Sequence, residues 1–112
     1  IDDIYKIAEL LLKQSDIELV REKDYIENPK KNGYRSLHLV VLVPVFLSDK
    51  VERVPVELQI RTVVMDAWAS LEHELKYKRE EPISKTAVKS LKQCAEEMAA
   101  VDARMQKIHR EL

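Results

Sequence analysis

Apolar residues recur at helical spacing near both ends of the chain and alternate with polar residues in its middle. Asp2 or Asp3 can cap a first helix that continues to Leu12. The apolar residues of this helix fall on one face: Ile4, Ile7, Ala8 and Leu11. The same spacing predicts a second helix over residues 62–78, and the break at Pro82 and Ser84 predicts the start of a final helix that runs to Leu112.

Between these helices the pattern changes to that of strands, over residues 17–26, 37–47 and 51–61. The polar connection over residues 48–50 is short, so the last two strands are expected to form an antiparallel hairpin. Asn-Pro and Asn-Gly pairs mark residues 28–33 as a turn. Helices at both ends and strands in the middle predict the α+β fold class, with a long C-terminal helix.

The final helix carries two apolar rows at heptad spacing. One row is Ala87, Cys94, Val101 and Ile108, and the other is Leu91, Met98, Met105 and Leu112. This pattern predicts packing against another helix along the whole length, with Cys94 in the core. Docking within the chain and a seam between copies are both consistent with it.

Composition narrows the classes of protein. The 112 residues are enough for one domain, and the content of 46% hydrophobic and 35% charged residues favours a soluble, cytoplasmic globular protein. Nineteen basic and twenty acidic residues give a net charge of −1, which does not favour DNA binding. No apolar run is long enough to span a membrane. The single cysteine excludes an internal disulfide framework and a cysteine-based zinc site.

Candidate chemistry gathers around the only glycine, Gly33. Three cations surround this turn: Lys30, Lys31 and Arg35. Tyr34, Ser36 and His38 follow at a spacing of two, which predicts that they share one strand face. An aromatic ring beside cations can stack on a base while the cations bind phosphate. A solvated basic turn before an ordinary half-buried strand is the alternative.

The following strand alternates, so that Glu57, Gln59 and Arg61 lie on one face. Next to Tyr34 and His38 they would form a dense polar surface, on which a carboxylate could bind Mg²⁺ or accept a proton. The alternative is that these residues are simply the solvent-exposed face of an antiparallel sheet, which shows the same pattern. His73 is not expected to bind zinc, because a His-Glu-x-x-His motif would need a second histidine where Tyr77 stands.

Three motifs now occur in a specific order: DYIENPKKNGYRSLHLVV, VPVELQIRT and MDAWASLEHELKYK. Together they resemble the synthetase domain of the RelA/SpoT family, in particular its single-domain small alarmone synthetases. The resemblance implies a nucleotidyltransferase-like mixed β-sheet flanked by helices, and a cytoplasmic homotetramer. It also implies GTP pyrophosphokinase activity in the stringent response, in which Mg²⁺ assists transfer of pyrophosphate from ATP to the 3′-hydroxyl of GTP or GDP, giving (p)ppGpp.

The resemblance assigns roles to individual residues. Tyr34 would stack on the guanine of the acceptor, and Glu57 would hold Mg²⁺ and activate the 3′-hydroxyl. The rest of the acceptor site would be formed by Lys30, Asn32, His38 and Gln59. Lys23 and Arg35 would neighbour the phosphates.

The family's donor half, with its ATP-binding basic residues and an aspartate, is expected before Ile1. Residues 1–82 then correspond to the acceptor part of a synthetase domain, and residues 83–112 to a C-terminal helix. We expect these 112 residues to make no alarmone on their own. The alternative function is a catalytically dead guanine-nucleotide-binding or oligomerisation module.

Overall fold

The computed structural model describes residues 2–77 and 83–111, and Lys78, Pro82 and Leu112 lie outside this range. The order of elements is α1 (Asp2–Leu12), β1 (Glu18–Asp24), β2 (Leu37–Phe46), β3 (Val51–Ile60), α2 (Val63–Tyr77) and α3 (Lys85–Glu111). Each predicted helix and strand is present, and the α+β class is confirmed. Within the described segments no helix has the length and apolar character needed to cross a bilayer.

The three strands form one sheet in the order β1-β2-β3. The predicted hairpin of β2 and β3 is confirmed, with an unbroken antiparallel register from Leu37 opposite Ile60 to Phe46 opposite Val51. β1 pairs antiparallel with the other edge of β2. The described strands therefore include no parallel pair of the kind that a mixed sheet contains.

A bulge interrupts β1 between Leu19 and Arg21, where the register shifts by one residue. Beyond it Lys23 lies opposite His38 and Arg21 opposite Val40. Since β2 places Val40 opposite Glu57, Lys23, Arg21 and Glu57 belong to the same face of the sheet.

The opposite face of the sheet forms the main core. Leu37, Leu39 and Val41 of β2 are fully buried there against Ile4 and Ala8 of α1, together with Met65. A second cluster joins α2 to α3 through Trp68, Leu91 and Ala95. The sheet is thus covered on one face, and its other face remains available for chemistry.

The packing of α3 differs from the heptad prediction. Its buried residues are Leu91, Ala95 and Asp102, whereas Cys94 is exposed, so the assignment of Cys94 to the core is wrong. The other exposed residues of the predicted rows are Val101, Met105 and Ile108. The buried face keeps the seven-residue repeat, but beside the row of Leu91 and Met98 its second row is Ala95 and Asp102, one position after the predicted row of Cys94 and Val101. Docking of α3 within the chain is therefore confirmed, and an apolar stripe is left on its outer side.

Candidate functional site

The turn before β2 presents the central aromatic residue of the site. Gly33 has a positive φ of 101°, and its N–H donates to the Lys30 carbonyl at 2.9 Å. A Cβ at this position would lie 2.8 Å from the Cβ of Ala95, so only glycine fits. The Asn32 side chain accepts the N–H of Tyr34 at 3.0 Å. Asn32 and Gly33 together fix the point from which the Tyr34 ring leaves the backbone.

Polar groups from two strands meet at the hydroxyl of Tyr34. This oxygen lies 2.9 Å from Nε2 of His38 on β2 and 3.4 Å from Oε1 of Gln59 on β3. The guanidinium of Arg61, just after β3, donates to it at 3.4 Å. Four residues of the predicted polar surface are therefore brought together: Tyr34, His38, Gln59 and Arg61.

Aromatic rings and a cation line the entrance to this cluster. The ring of Tyr25 meets those of His38 and Tyr34 edge-on, at centroid distances of 5.1 and 6.1 Å. The ammonium group of Lys30 lies 4.9 Å from the Tyr25 centroid and 5.3 Å from that of Tyr34. The cation is thus held beside the rings rather than extended into solvent.

Next to these rings lies a pocket of about 240 Å³ with several cations and one carboxylate. It is lined by Arg21, Lys23, Tyr25, Lys30, His38, Val40 and Glu57. The Glu57 carboxylate lies 3.5 Å from Nδ1 of His38, and its side chain is 59% exposed. Lysine and arginine side chains that share a pocket can bind phosphate oxygens, and the carboxylate can accept a proton.

The side chains of this pocket offer few ligands for a divalent cation. Across residues 2–77 and 83–111 no group of three or more His, Cys, Asp or Glu side chains could hold a metal ion. Glu57 could therefore supply only one protein ligand. Mg²⁺ is often bound in this way, by one or two carboxylates with waters and substrate phosphates as the remaining ligands.

Tyr34 lines a different, larger pocket of about 520 Å³ between β3 and α2. The other lining residues are Gln59, Arg61, Ala69, Ser70, Glu72, His73, Lys76 and Tyr77. The ring of His73 stacks on that of Tyr77, with their centroids 4.9 Å apart. The Tyr34 cluster thus has a cationic pocket on β1 and β2 and a roomier pocket beside α2.

Two residues differ from the predicted arrangement. Ser36 does not share the polar face, since it is fully buried and its hydroxyl donates to the Ile60 carbonyl at 3.3 Å. Arg35 donates to the Gly33 carbonyl at 3.0 Å and lines a small cavity beneath the turn with Trp68. The strand begins only at Leu37, so strict alternation does not extend back to these positions.

Arg21 and Tyr25 line the cationic pocket although the sequence analysis did not select them. Arg21 precedes Lys23 by two residues, and this spacing was the available signal. Tyr25 is positioned by Asp24, whose carboxylate accepts the N–H groups of Ile26 and Glu27 and the hydroxyl of Tyr5. Burial opposes ionisation of Asp24, but these hydrogen bonds outweigh it and lower its pKa.

His38 is expected to be neutral at physiological pH. Burial lowers its pKa below 6.5; the Glu57 carboxylate raises it, and the positive charges of Lys30 and Arg61 lower it further. We predict that Lys30→Gln raises the His38 pKa and that Glu57→Gln lowers it, as followed by NMR titration of the histidine Cε1–H resonance. His109→Gln is the control that should leave the midpoint unchanged. The pKa of His38 is lower in the folded chain than in the unfolded chain, so the unfolded chain takes up the proton more readily. The contribution of His38 to stability therefore falls as the pH drops through 6.5.

Comparison with known proteins supports one family. The family model described as "Region found in RelA / SpoT proteins" matches residues 1–82. The GTP pyrophosphokinase YwaC of Bacillus subtilis is 46% identical over all 112 residues. The crystal structure of small alarmone synthetase 2 from Bacillus subtilis superposes with a TM-score of 0.96 at 46% identity. That of small alarmone synthetase 1 from the same organism, bound to its product pppGpp, gives 0.91 at 39% identity over 99% of this chain.

The relatives are longer than this chain. The 112 residues span 53% of YwaC. They span 61% of the solved synthetase 2 chain and 57% of the synthetase 1 chain. The chain therefore spans a little over half of each of these proteins.

Proposed function

Because the chain belongs to the RelA/SpoT family, we propose that it carries the acceptor-nucleotide site of a GTP pyrophosphokinase. The observation that supports this most directly is the cationic pocket beside Tyr34, in which Glu57 is the only carboxylate. A nucleotide needs a surface for its base, cations for its phosphates and, for transfer to its hydroxyl, a group that takes the proton. The residues around Tyr34 can supply all three.

In this proposal the Tyr34 ring stacks on the guanine, and the pockets on either side hold the rest of the nucleotide. Lys23, Lys30 and Arg21 neutralise phosphate oxygens. Gln59 lines the site from β3, and Asn32 contributes by holding the turn that carries Tyr34. Since Arg35 is bonded to the turn itself, we propose that it supports the site from below and does not contact phosphate.

The proposed reaction moves pyrophosphate from ATP to the 3′-oxygen of GTP or GDP. Glu57 accepts the 3′-hydroxyl proton, the oxygen forms a bond to the β-phosphorus, and the bond from that phosphorus to the AMP oxygen breaks. When bound, Mg²⁺ would neutralise charge on the transferred group, and Glu57 could supply one of its ligands. His38 lies against Glu57 and Tyr34, so it can orient both the carboxylate and the ring. The proposal assigns ATP binding to residues outside this 112-residue span.

Titration of GDP into the chain with Mg²⁺ in a calorimeter tests the acceptor site, with ADP as the comparison nucleotide. We predict that GDP binds and ADP does not, and that Tyr34→Ala weakens GDP binding about tenfold or more, because base stacking contributes roughly 1–3 kcal/mol. Phe46→Ala is the matched control, since Phe46 is an aromatic residue that is 76% exposed at the far end of the hairpin. A chain that is folded by circular dichroism and binds no GDP would contradict the proposal.

A guanine-nucleotide-binding or assembly module is the second candidate, and the outer stripe of α3 favours it. Cys94, Val101, Met105 and Ile108 are exposed there. We propose that this stripe contributes to the cytoplasmic homotetramer that the family resemblance implies. Assembly is compatible with catalysis. The module would be favoured over the enzyme only if the full-length protein bound GDP and transferred no pyrophosphate to it.

A further inference from the structure

Asp102 is a carboxylate placed where packing alone would favour an apolar residue. It is 7% exposed and continues the buried face of α3 formed by Leu91 and Ala95. Burying a carboxylate is unfavourable unless its hydrogen bonds compensate. An apolar side chain could extend the same face without that cost. Its position therefore points to a role other than filling space.

The partner of Asp102 is Thr62, the last residue of the VPVELQIRT motif. The Thr62 hydroxyl donates to Oδ2 of Asp102 at 2.7 Å and accepts the N–H of Met65 at 3.1 Å. A hydroxyl has one proton and two lone pairs, so it can do both at once. Thr62 also accepts the N–H of Asp66 with its carbonyl, at 2.9 Å. Asp102 thus orients the hydroxyl that caps the start of α2.

The start of α2 in turn holds Arg61. The Nε of Arg61 lies 3.2 Å from Oδ1 of Asp66 in the first turn of α2. The NH1 of Arg61 donates to the Tyr34 hydroxyl at 3.4 Å. A continuous series of contacts therefore leads from Asp102 through Thr62 and the first turn of α2 to Arg61 and Tyr34.

α3 also reaches Tyr34 from the other side. Ala95 lies against Gly33, directly before Tyr34 in the sequence. Gly33, Arg35 and Asp102 line the same cavity, whose volume of about 10 Å³ leaves little room for movement. Both the backbone before Tyr34 and the side chain that binds its hydroxyl are thereby supported by one helix.

We propose that Asp102 is a positioning residue for the guanine-nucleotide site, acting through the Thr62 hydroxyl to fix Arg61 and the Tyr34 ring. This inference rests on the proposed function, because it assumes that Tyr34 is where the nucleotide binds. It gives α3 a role in nucleotide affinity, although none of the Asp102 atoms needs to touch the nucleotide.

GDP titration of variants of the 112-residue chain tests this role. Asp102→Ala and Thr62→Val are each expected to raise the GDP dissociation constant about fivefold, a typical size for coupling between neighbouring residues. Thr62→Ser keeps the hydroxyl and should bind GDP with the affinity of the unsubstituted chain. Because both residues act through one hydrogen bond, the chain carrying both Asp102→Ala and Thr62→Val should bind GDP no more weakly than the weaker of the two single variants. Glu97→Ala removes an exposed carboxylate from the same helix and is the matched control. Ile4→Val, which lowers stability through the other core cluster, should leave affinity unchanged.

A second readout does not depend on GDP. In ¹H–¹⁵N spectra, Asp102→Ala should shift the amide signals of Gly33 and Tyr34 and the Nε–H signal of Arg61, whereas Glu97→Ala should not. If the unsubstituted chain binds no GDP, the proposed function fails and the spectra alone decide whether Asp102 positions Tyr34. If GDP binds equally to the folded Asp102→Ala chain, or these signals do not move, the inference is overturned. Should that chain not fold, Asp102→Asn takes its place, with an expected loss of about twofold because the hydrogen bond loses its charge.

Discussion

Glu57→Gln is expected to lower the rate of pyrophosphate transfer by the full-length protein about 100-fold to 10,000-fold, the range typical for loss of a general base. A ribose hydroxyl is a poor nucleophile at neutral pH unless a positioned group removes its proton. Glu57 is the only carboxylate of the cationic pocket, and its side chain is open to an incoming nucleotide. Glutamine has nearly the same shape but cannot accept a proton. The measurement is the initial rate of (p)ppGpp formation from ATP and GDP with Mg²⁺.

Two controls separate chemistry from binding in this experiment. GDP affinity of Glu57→Gln should stay within about threefold of the unsubstituted protein, since Tyr34 and the cations remain. Glu52→Gln changes an exposed glutamate on the same strand, where Glu52 pairs with Lys50 near the hairpin end, and should leave the rate unchanged. Full activity of Glu57→Gln with intact GDP binding would require a different proton acceptor.

Trp68→Ala is expected to lower the free energy of unfolding by about 3–5 kcal/mol, the usual cost of removing a large buried aromatic side chain. Trp68 is 3% exposed and donates its indole N–H to the Leu91 carbonyl at 2.7 Å. It is the largest side chain of the cluster that joins α2 to α3. A domain of this size has a total stability of about 5–15 kcal/mol, so the loss would take a large part of it. Chemical denaturation followed by circular dichroism at 222 nm measures the change.

Trp68→Phe distinguishes the two contributions of this residue. It keeps most of the apolar contact but loses the hydrogen bond, so about 1–2 kcal/mol of destabilisation is expected. Ser70→Ala, at an exposed position of the same helix, should change stability by less than about 0.5 kcal/mol. A loss below about 1 kcal/mol in Trp68→Ala would mean that α3 is held to α2 by other contacts.

The strands were predictable because burial on one face of a sheet favours alternation, which β3 follows from Val54 to Ile60. The same rule failed at Ser36, since β2 begins only at Leu37, and the Ser36 hydroxyl is satisfied by the Ile60 backbone carbonyl. A residue type that is common on wet surfaces can be buried wherever one hydrogen bond compensates for its desolvation. No pattern of apolar positions reveals such a partner.

The candidate site was predictable where its residues lie on one strand or in one turn. Tyr34, Lys30, His38, Glu57 and Gln59 were selected in this way, and the resemblance added Lys23. Arg35 was grouped with the phosphate contacts because it is close in sequence, yet it bonds to the Gly33 carbonyl. Asp102 was hidden for a different reason: the heptad pattern selects apolar positions and passes over a buried carboxylate. Its importance depends on Thr62, forty residues earlier in the chain.

The bulge in β1 determines the sign of the charge that a nucleotide would meet. Had β1 kept the register that pairs Leu19 with Val41, Val20 would face Val40 and Glu22 would face His38. Arg21 and Lys23 would then point to the opposite face of the sheet. With no change in the sequence, Val20 and Glu22 would take the places of Arg21 and Lys23, and the basic pocket would become an acidic one. The chemistry of this pocket is thus encoded partly in the bulge. Deletion of Val20 would remove the bulge and still leave Arg21 opposite Val40 and Lys23 opposite His38, so the basic pocket would be kept.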